Sequence, residues 1–247
     1  MLKKLLKKLL FGMDVPQEYV CLPFEQSAHL QIWMTTLHAD PQEVTHRHLF
    51  LGYSPLILGV IFPKEQAPPD RGCFTFTKDE FVPNDKWRGF VTDHRAVGRM
   101  VLEKIKIEKF GNDTVGFYRG VHADHRLINT VHQLTNNVKT RLRRKEVGNV
   151  SLPGNLYDQV RLAYAFPRLI SLISLAQDGL MNCFPTDLHG KINDEFYVSS
   201  LRLGGNADGQ VLAVKRVVLS QVKPDYFRIA YELGKNHMTN MRPADQF

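Results

Sequence analysis

The stretch Leu169-Ile170-Ser171-Leu172-Ile173-Ser174-Leu175-Ala176-Gln177-Asp178-Gly179-Leu180-Met181-Asn182-Cys183-Phe184 decides the fold. Leu169 to Leu175 is an apolar and small-residue run of strand length, bounded by turn residues. Asp178-Gly179 is the dipeptide that suits a two-residue hairpin, because such a turn needs positive φ at its centre. Leu180 to Phe184 is therefore expected to fold back as the antiparallel partner.

Downstream, the polar stretch Pro185-Thr186-Asp187-Leu188-His189-Gly190 reads as a loop leading to a strand over Glu195 to Leu201. Then come Arg202, the pair Gly204-Gly205, a short helix near Asp208 to Val214 and a strand over Val217 to Val222. Pro224, well placed at the first helical position, opens a last helix expected to stop at Gly234. Upstream, Gly148 to Gly154 with Pro153 is the best boundary in the chain. It sets residues 151–247 apart from a β-rich half, residues 13–150, of unknown role.

In that half, Glu18 to Phe62 reads mostly as strands, ending in the apolar run Leu56 to Phe62. Lys64 to Arg71 reads as a loop and Phe74-Thr75-Phe76 as a short strand. Arg95 to Ile107 shows helical spacing, with Val97, Val101, Leu102 and Ile105 on one face, and residues 126–138 read as another helix.

With 247 residues, 43% hydrophobic and 23% charged, the chain can bury a core, and collagen, long disorder and a coiled-coil rod are excluded. No apolar run reaches the roughly 18 residues of a membrane-spanning helix. Cys21, Cys73 and Cys183 form no C-x-x-C pair, which fits buried thiols in a reducing cytoplasm. The net charge of +7 is uneven, with four lysines in the first twelve residues and a basic run from Lys139 to Lys145. That run lacks the interleaved aromatics of a base-stacking surface, so no nucleic-acid partner is expected.

Met1 to Gly12 places Leu2, Leu5, Leu6, Leu9 and Leu10 at i, i+3, i+4 spacing against Lys3, Lys4, Lys7 and Lys8. This is the pattern of an amphipathic basic helix that docks on its own protein or rests on an anionic membrane surface.

The order of strand, Asp-Gly turn, strand, Asn-containing loop, strand, Arg, glycines, helix and strand resembles the flavin reductase-like family. Pro167 to Ser174 matches its proline-led strand, and Asp178, Gly179, Asn182 and Pro185 match its hairpin and following Asn and Pro. Two features depart from the pattern: Pro185 is preceded by Phe184 and followed by Thr186-Asp187-Leu188-His189, and the usual Thr and Asn-Ile pair appear as Ala207 and Gln210-Val211. The resemblance covers residues 155–234. It implies a mainly β fold with helices (α+β), the FMN-binding split β-barrel, with the rest of the barrel expected from the first half as a degenerate lobe. It further implies an FMN-binding oxidoreductase that takes hydride from NADH or NADPH, and a homodimer.

FMN needs donors toward its ring carbonyls and a cationic or amide-rich phosphate pocket. Asn182, Cys183, Phe184, Pro185, Thr186, Asp187 and His189 form the loop that can meet the ring, partly through backbone N–H groups freed where Pro185 ends regular pairing. Arg202, beside Gly205, can pair with the phosphate. His237 is a further candidate. Hydride transfer needs stacking geometry, not a protein acid or base, and no catalytic triad is recognisable. The alternative is a non-enzymatic split-barrel binding protein with a degenerate flavin pocket. The histidine pairs His46/His48 and His122/His125 have ligand spacing but no completing motif, so no metal is expected.

Overall fold

The computed structural model describes residues 30–36, 39–78, 96–127, 134, 138, 152, 154–166 and 168–246. The fold is mainly β with helices. Seven strands, β1 (Leu30–Thr35), β2 (Gln42–Glu43), β3 (His48–Tyr53), β4 (Leu56–Pro63), β5 (Arg71–Lys78), β6 (Ala96–Phe110) and β7 (Asp113–His125), form one antiparallel sheet in the order β2-β1-β5-β6-β7-β4-β3. Strand β4 is apolar along its length because both faces are covered. Leu56, Leu58, Val60 and Phe62 enter the main core, while Ile57 and Ile61 join a second cluster on the opposite face.

Helix α1 (Leu156–Tyr164) closes the main core, inserting Val160, Leu162 and Ala163 among Leu102, Met100 and Phe76. Burying Leu162 completely contributes about 2 kcal/mol. The helix lies close to the sheet because Gly98 has no side chain, since a Cβ there would stand 2.6 Å from Leu162 Cδ1. Asn155, at its N-terminus, pairs its side-chain amide with the N–H and carbonyl of Ala123, both at 2.7 Å, as a neighbouring strand would.

A second, four-stranded sheet holds β8 (Ser171–Gln177), β9 (Leu180–Thr186), β12 (Val218–Gln221) and β13 (Arg242–Pro243) in the order β12-β8-β9-β13. The hairpin between β8 and β9 forms as expected, with Asp178 and Gly179 at φ 54° and 77°. Helix α2 (Asn206–Val214) covers one face, packing Ala207, Val211 and Val214 on Ile173, Leu175 and Phe184. Strands β10 (His189–Lys191) and β11 (Tyr197–Ser199) form a ribbon that lays Ile192 and Val198 on Leu49, Leu51 and Phe117 of the large sheet. Asn193 fixes it there, donating to Phe110 O at 3.1 Å and Asp113 Oδ2 at 2.9 Å.

Several expectations change. The helix expected over Arg95 to Ile107 is replaced by a strand over its described part: residues 96–110 are strand β6, hydrogen-bonded to β5 and β7 with register shifts. Those irregularities break strict alternation and produce a spacing that resembles a helix in sequence. Of the helix expected over 126–138, Leu134 and Val138 are helical, Arg126 and Leu127 are not, and the rest lies outside the described residues. The first twelve residues and the basic run from Lys139 lie outside them too.

Pro185 does not end the strand but pairs with Leu172 inside β9. It is tolerated because β13 pairs only with Met181 and Leu180, leaving no ladder bond for the missing N–H on the other edge. The last helix is divided into a 3-10 turn at Pro224–Tyr226, α3 (Phe227–Glu232) and a 3-10 stretch at Leu233–Met238, so it runs past Gly234.

Candidate functional site

The candidate site is the lobe built from β8, β9, the following loop and the start of α2. Side chains alternate along β9, so Phe184 and Asn182 face α2 while Cys183 and Pro185 face away. Asn182 is fully buried. Its Nδ2 donates to Gln210 Oε1 at 2.8 Å and to Asn236 O at 2.9 Å, and its Oδ1 accepts the Cys183 N–H. Asn236 returns a bond from its own amide to Cys183 O at 2.9 Å, and Gln210 donates to Thr239 O at 2.7 Å. These amides take the role of a neighbouring strand where β13 has stopped pairing, which accounts for so many polar groups in a buried place.

The loop after β9 also directs its polar groups inward. Thr186 Oγ1 accepts the Leu188 N–H at 3.2 Å, and Asp187 pairs with Arg168 at 2.9 Å. The Arg168 guanidinium lies 3.8 Å from the ring centre of Tyr164 and 4.5 Å from that of Phe50. This couples the loop to α1 and β3 through charge and cation–π contact. His189 is buried; its Nε2 donates to Leu169 O at 3.1 Å, so its Nδ1 is left to accept from the Tyr197 hydroxyl, and the two rings stack. Cys183 is buried and accepts a contact from Ser174 Oγ at 3.3 Å, and Phe184 belongs to the lobe's core.

Arg202 differs from all of these in being exposed. It stands before Gly204, whose φ of 71° favours glycine, and Gly205, the N-cap of α2. Asp208 Oδ2 accepts the Gly204 N–H and Arg202 O accepts that of Gly205, both at 2.9 Å. The N–H groups that open α2 beyond Gly205 are left without helical acceptors by helix geometry. His237 is exposed, and its Nδ1 donates to Gly234 O.

Asn182, Thr186, Asp187 and His189 are thus engaged with other parts of the chain, while Arg202 and His237 are exposed. Sequence reasoning missed Asn236, Thr239 and Tyr197 as partners. Asn182 meets Asn236 across 54 positions, and no local spacing signals such a pair.

Among the described residues no group of three or more His, Cys, Asp or Glu is placed to hold a metal ion. His48 donates its Nδ1 proton to Thr45 O at 2.8 Å, and Cys73, with its thiol pushed up to about 12 mainly by burial, is not poised as a nucleophile. The cleft lined by Met34, Asp40, Phe62 and Gln66 encloses about 70 Å³, well short of the ~300 Å³ of a cofactor pocket.

His48 and His189 share an electrostatic property. Burial holds both below the ordinary 6.5, outweighing the carbonyl hydrogen bonds that favour the charged ring. In the unfolded chain each takes up its proton near 6.5, so below that pH the unfolded state binds protons the folded state refuses, and stability falls. Thermal melts should be insensitive to these groups above neutrality and move down as the pH falls toward about 5; replacing His189 by phenylalanine should flatten that slope.

No protein-family model matches the sequence, and no curated protein matches it. Solved structures do. The chain is similar to the styrene monooxygenase flavin reductase of Pseudomonas putida S12, at 11% identity over 42% of this chain and 86% of that one, with a TM-score of 0.28. It is similar to the NADH:FAD oxidoreductase of Streptomyces globisporus at 10% identity, over 44% and 88% of the two chains, with a TM-score of 0.29. The FMN-binding protein of Thermus thermophilus gives 12% identity, 46% and 82% coverage, and a TM-score of 0.30. The fold resembles those of flavin reductases and FMN-binding proteins. At these values the likeness is one of shape over part of the chain.

Proposed function

We propose that this chain is a flavin-binding protein of the flavin reductase type, taking FMN at the lobe of β8, β9 and α2 and hydride from NADH or NADPH. The observation that carries this reading is the order of elements around the Asp178-Gly179 hairpin. The motif that resembles the family is built as strand, turn, strand, ribbon and helix, and it leaves an exposed Arg202 beside a glycine-capped helix start. A guanidinium and the first N–H groups of a helix are a suitable set for a phosphate. The phosphate half of FMN therefore fits.

The ring half fits less closely. Asn182, Thr186, Asp187 and His189 have their polar groups engaged within the chain, so ring recognition falls to backbone groups and the apolar surface of the lobe. FMN, when bound, supplies the hydride-accepting chemistry. The chain's own work is to hold the phosphate and to present a flat surface, with no side-chain acid or base required.

Those inward-turned groups are also the observation that favours a second reading, a binding protein of the same fold with a degenerate flavin pocket. The visible spectrum after adding FMN and removing the excess separates the two. Retained flavin bands that NADH or NADPH bleaches support the first, and a colourless protein supports the second. Under the first reading, Arg202→Ala should weaken FMN binding ten- to roughly a hundredfold, as expected for about 1.5 to 3 kcal/mol of a charge-assisted contact. Its thermal midpoint should not move, because Arg202 is exposed.

A further inference from the structure

Among the described residues, the exposed apolar side chains gather on the C-terminal lobe, and most closely along the helical run from Pro224 to Met238. The run is anchored through buried Ala230 and through Asn236, which donates to Cys183 O at 2.9 Å, while Met238 O accepts from Asn206 of α2. The side chains it turns away from the lobe are large. Tyr226, Phe227, Ile229, Tyr231 and Met238 are 56%, 39%, 53%, 75% and 57% exposed. A monomer seldom leaves so continuous an apolar stretch in water.

The charges of the run decide what covers it. They are Asp225, Arg228, Glu232 and Lys235, all exposed and with no net sign. Their order is antisymmetric about Ala230: Asp225 and Lys235 stand five residues to either side of it, and Arg228 and Glu232 two. Their i, i+3 and i, i+4 spacing puts them on one stripe and would let them pair along the helix. Among the described residues none of the four forms such a pair.

Laid antiparallel on its own copy about a two-fold axis at Ala230, the run sets each charge against its opposite. Asp225 meets Lys235 of the second copy, and Arg228 meets Glu232 of the second copy. Parallel packing would set every charge against its like, so the pattern selects one orientation. Lys223, just before the run, falls opposite His237, whose Nδ1 donates to Gly234 O. The lobe's other charges, Arg202, Asp208, Lys215, Arg216, Arg242 and Asp245, lie outside the run.

We propose that the run Pro224–Met238 is a self-association surface, pairing antiparallel with the same run of a second copy. Ile229 and Tyr231, on either side of Ala230, flank the charged stripe and supply the buried apolar area. The ion pairs fix register and direction, as the isologous contact of a two-fold dimer requires. The five exposed apolar side chains offer roughly 500 Å² per copy, or about 1,000 Å² for the pair, at the low end of specific interfaces. The dimer is therefore a weak one. The family resemblance implies a homodimer but assigns it no surface; this surface is read from the run itself.

The test is the mass of the full chain by sedimentation equilibrium across a concentration series. The expected result is a rise from one mass toward twice that mass. Joint replacement Ile229→Glu and Tyr231→Glu should leave a monomer, with unchanged circular dichroism showing that it folds. Arg228→Glu alone should weaken association about tenfold or more, because the repulsion against Glu232 occurs twice at a two-fold contact. Glu232→Arg alone should do the same. Equal amounts of the two single variants should associate when mixed, and so should the chain carrying both reversals, since each restores opposite charges across the axis. A chain that stays at single mass throughout overturns the proposal. So does a dimer untouched by the replacements at Ile229 and Tyr231, which assigns association to another face. Single reversals without effect, or variants that fail to associate on mixing, overturn the antiparallel pairing. None of these readouts involves flavin, so the proposal stands or falls apart from the cofactor reading.

Discussion

Replacing Asn182 by alanine is expected to cost about 2 kcal/mol of stability, and to loosen the edge of the C-terminal lobe as a whole. The side chain has no exposed surface and holds three groups at once: Gln210 Oε1, Asn236 O and the Cys183 N–H. Alanine leaves the buried Cys183 N–H without its acceptor, takes the donor from the part-buried Gln210 Oε1 and leaves Asn236 O to the N–H and hydroxyl of Thr239. Asn236 bonds back to Cys183 O, so the 236–239 segment loses part of its hold on β9 at the same time. Urea unfolding measures the change directly. A variant as stable as the parent that has lost affinity for FMN would instead make Asn182 a cofactor contact.

The second large effect is expected at Arg168. Its guanidinium faces two aromatic rings and pairs with Asp187, with only 14% of its side chain exposed. Arg168→Ala should cost about 2 to 4 kcal/mol, from lost cation–π contact and from a half-buried Asp187 left without its counter-charge. Arg168→Lys should recover less than half of that, because an ammonium cannot lie flat against Phe50 and Tyr164 while reaching Asp187. Removing Asp187 in the alanine variant should cost little more, and the double-mutant cycle would reveal the coupling. Full recovery by lysine would show that charge alone, and not the planar fork, ties the loop to the large sheet.

Both effects concern residues whose neighbourhood the sequence shows only in part. The Asp178-Gly179 turn was legible because its signal is local: two adjacent residues that accept positive φ, between apolar runs of strand length. The helix before β12 was expected near Asp208 to Val214 and begins two residues earlier, at Asn206, with Gly205 as its N-cap. Strand β6 was misread because register shifts disturb its alternation, and a pattern of β-branched and long side chains then imitates a helical face. What Asn182 does was not legible either. A turn-adjacent asparagine looks the same whether it awaits a ligand or closes a strand edge, and its partners stand 28 and 54 positions away.

The sequence by itself determined the local and additive properties of this protein: the mainly β class, the hairpin, the short helix after Arg202 and the concentration of positive charge in the first twelve residues and in the run from Lys139 to Lys145. These follow from propensity, period and summation, which neighbouring residues set without reference to the rest of the chain. Only the tertiary structure decided which polar groups of the candidate loop remain available. Burial makes a hydrogen-bonding group seek a partner wherever the fold supplies one, and for Asn182, Asp187 and His189 that partner comes from distant strands and turns.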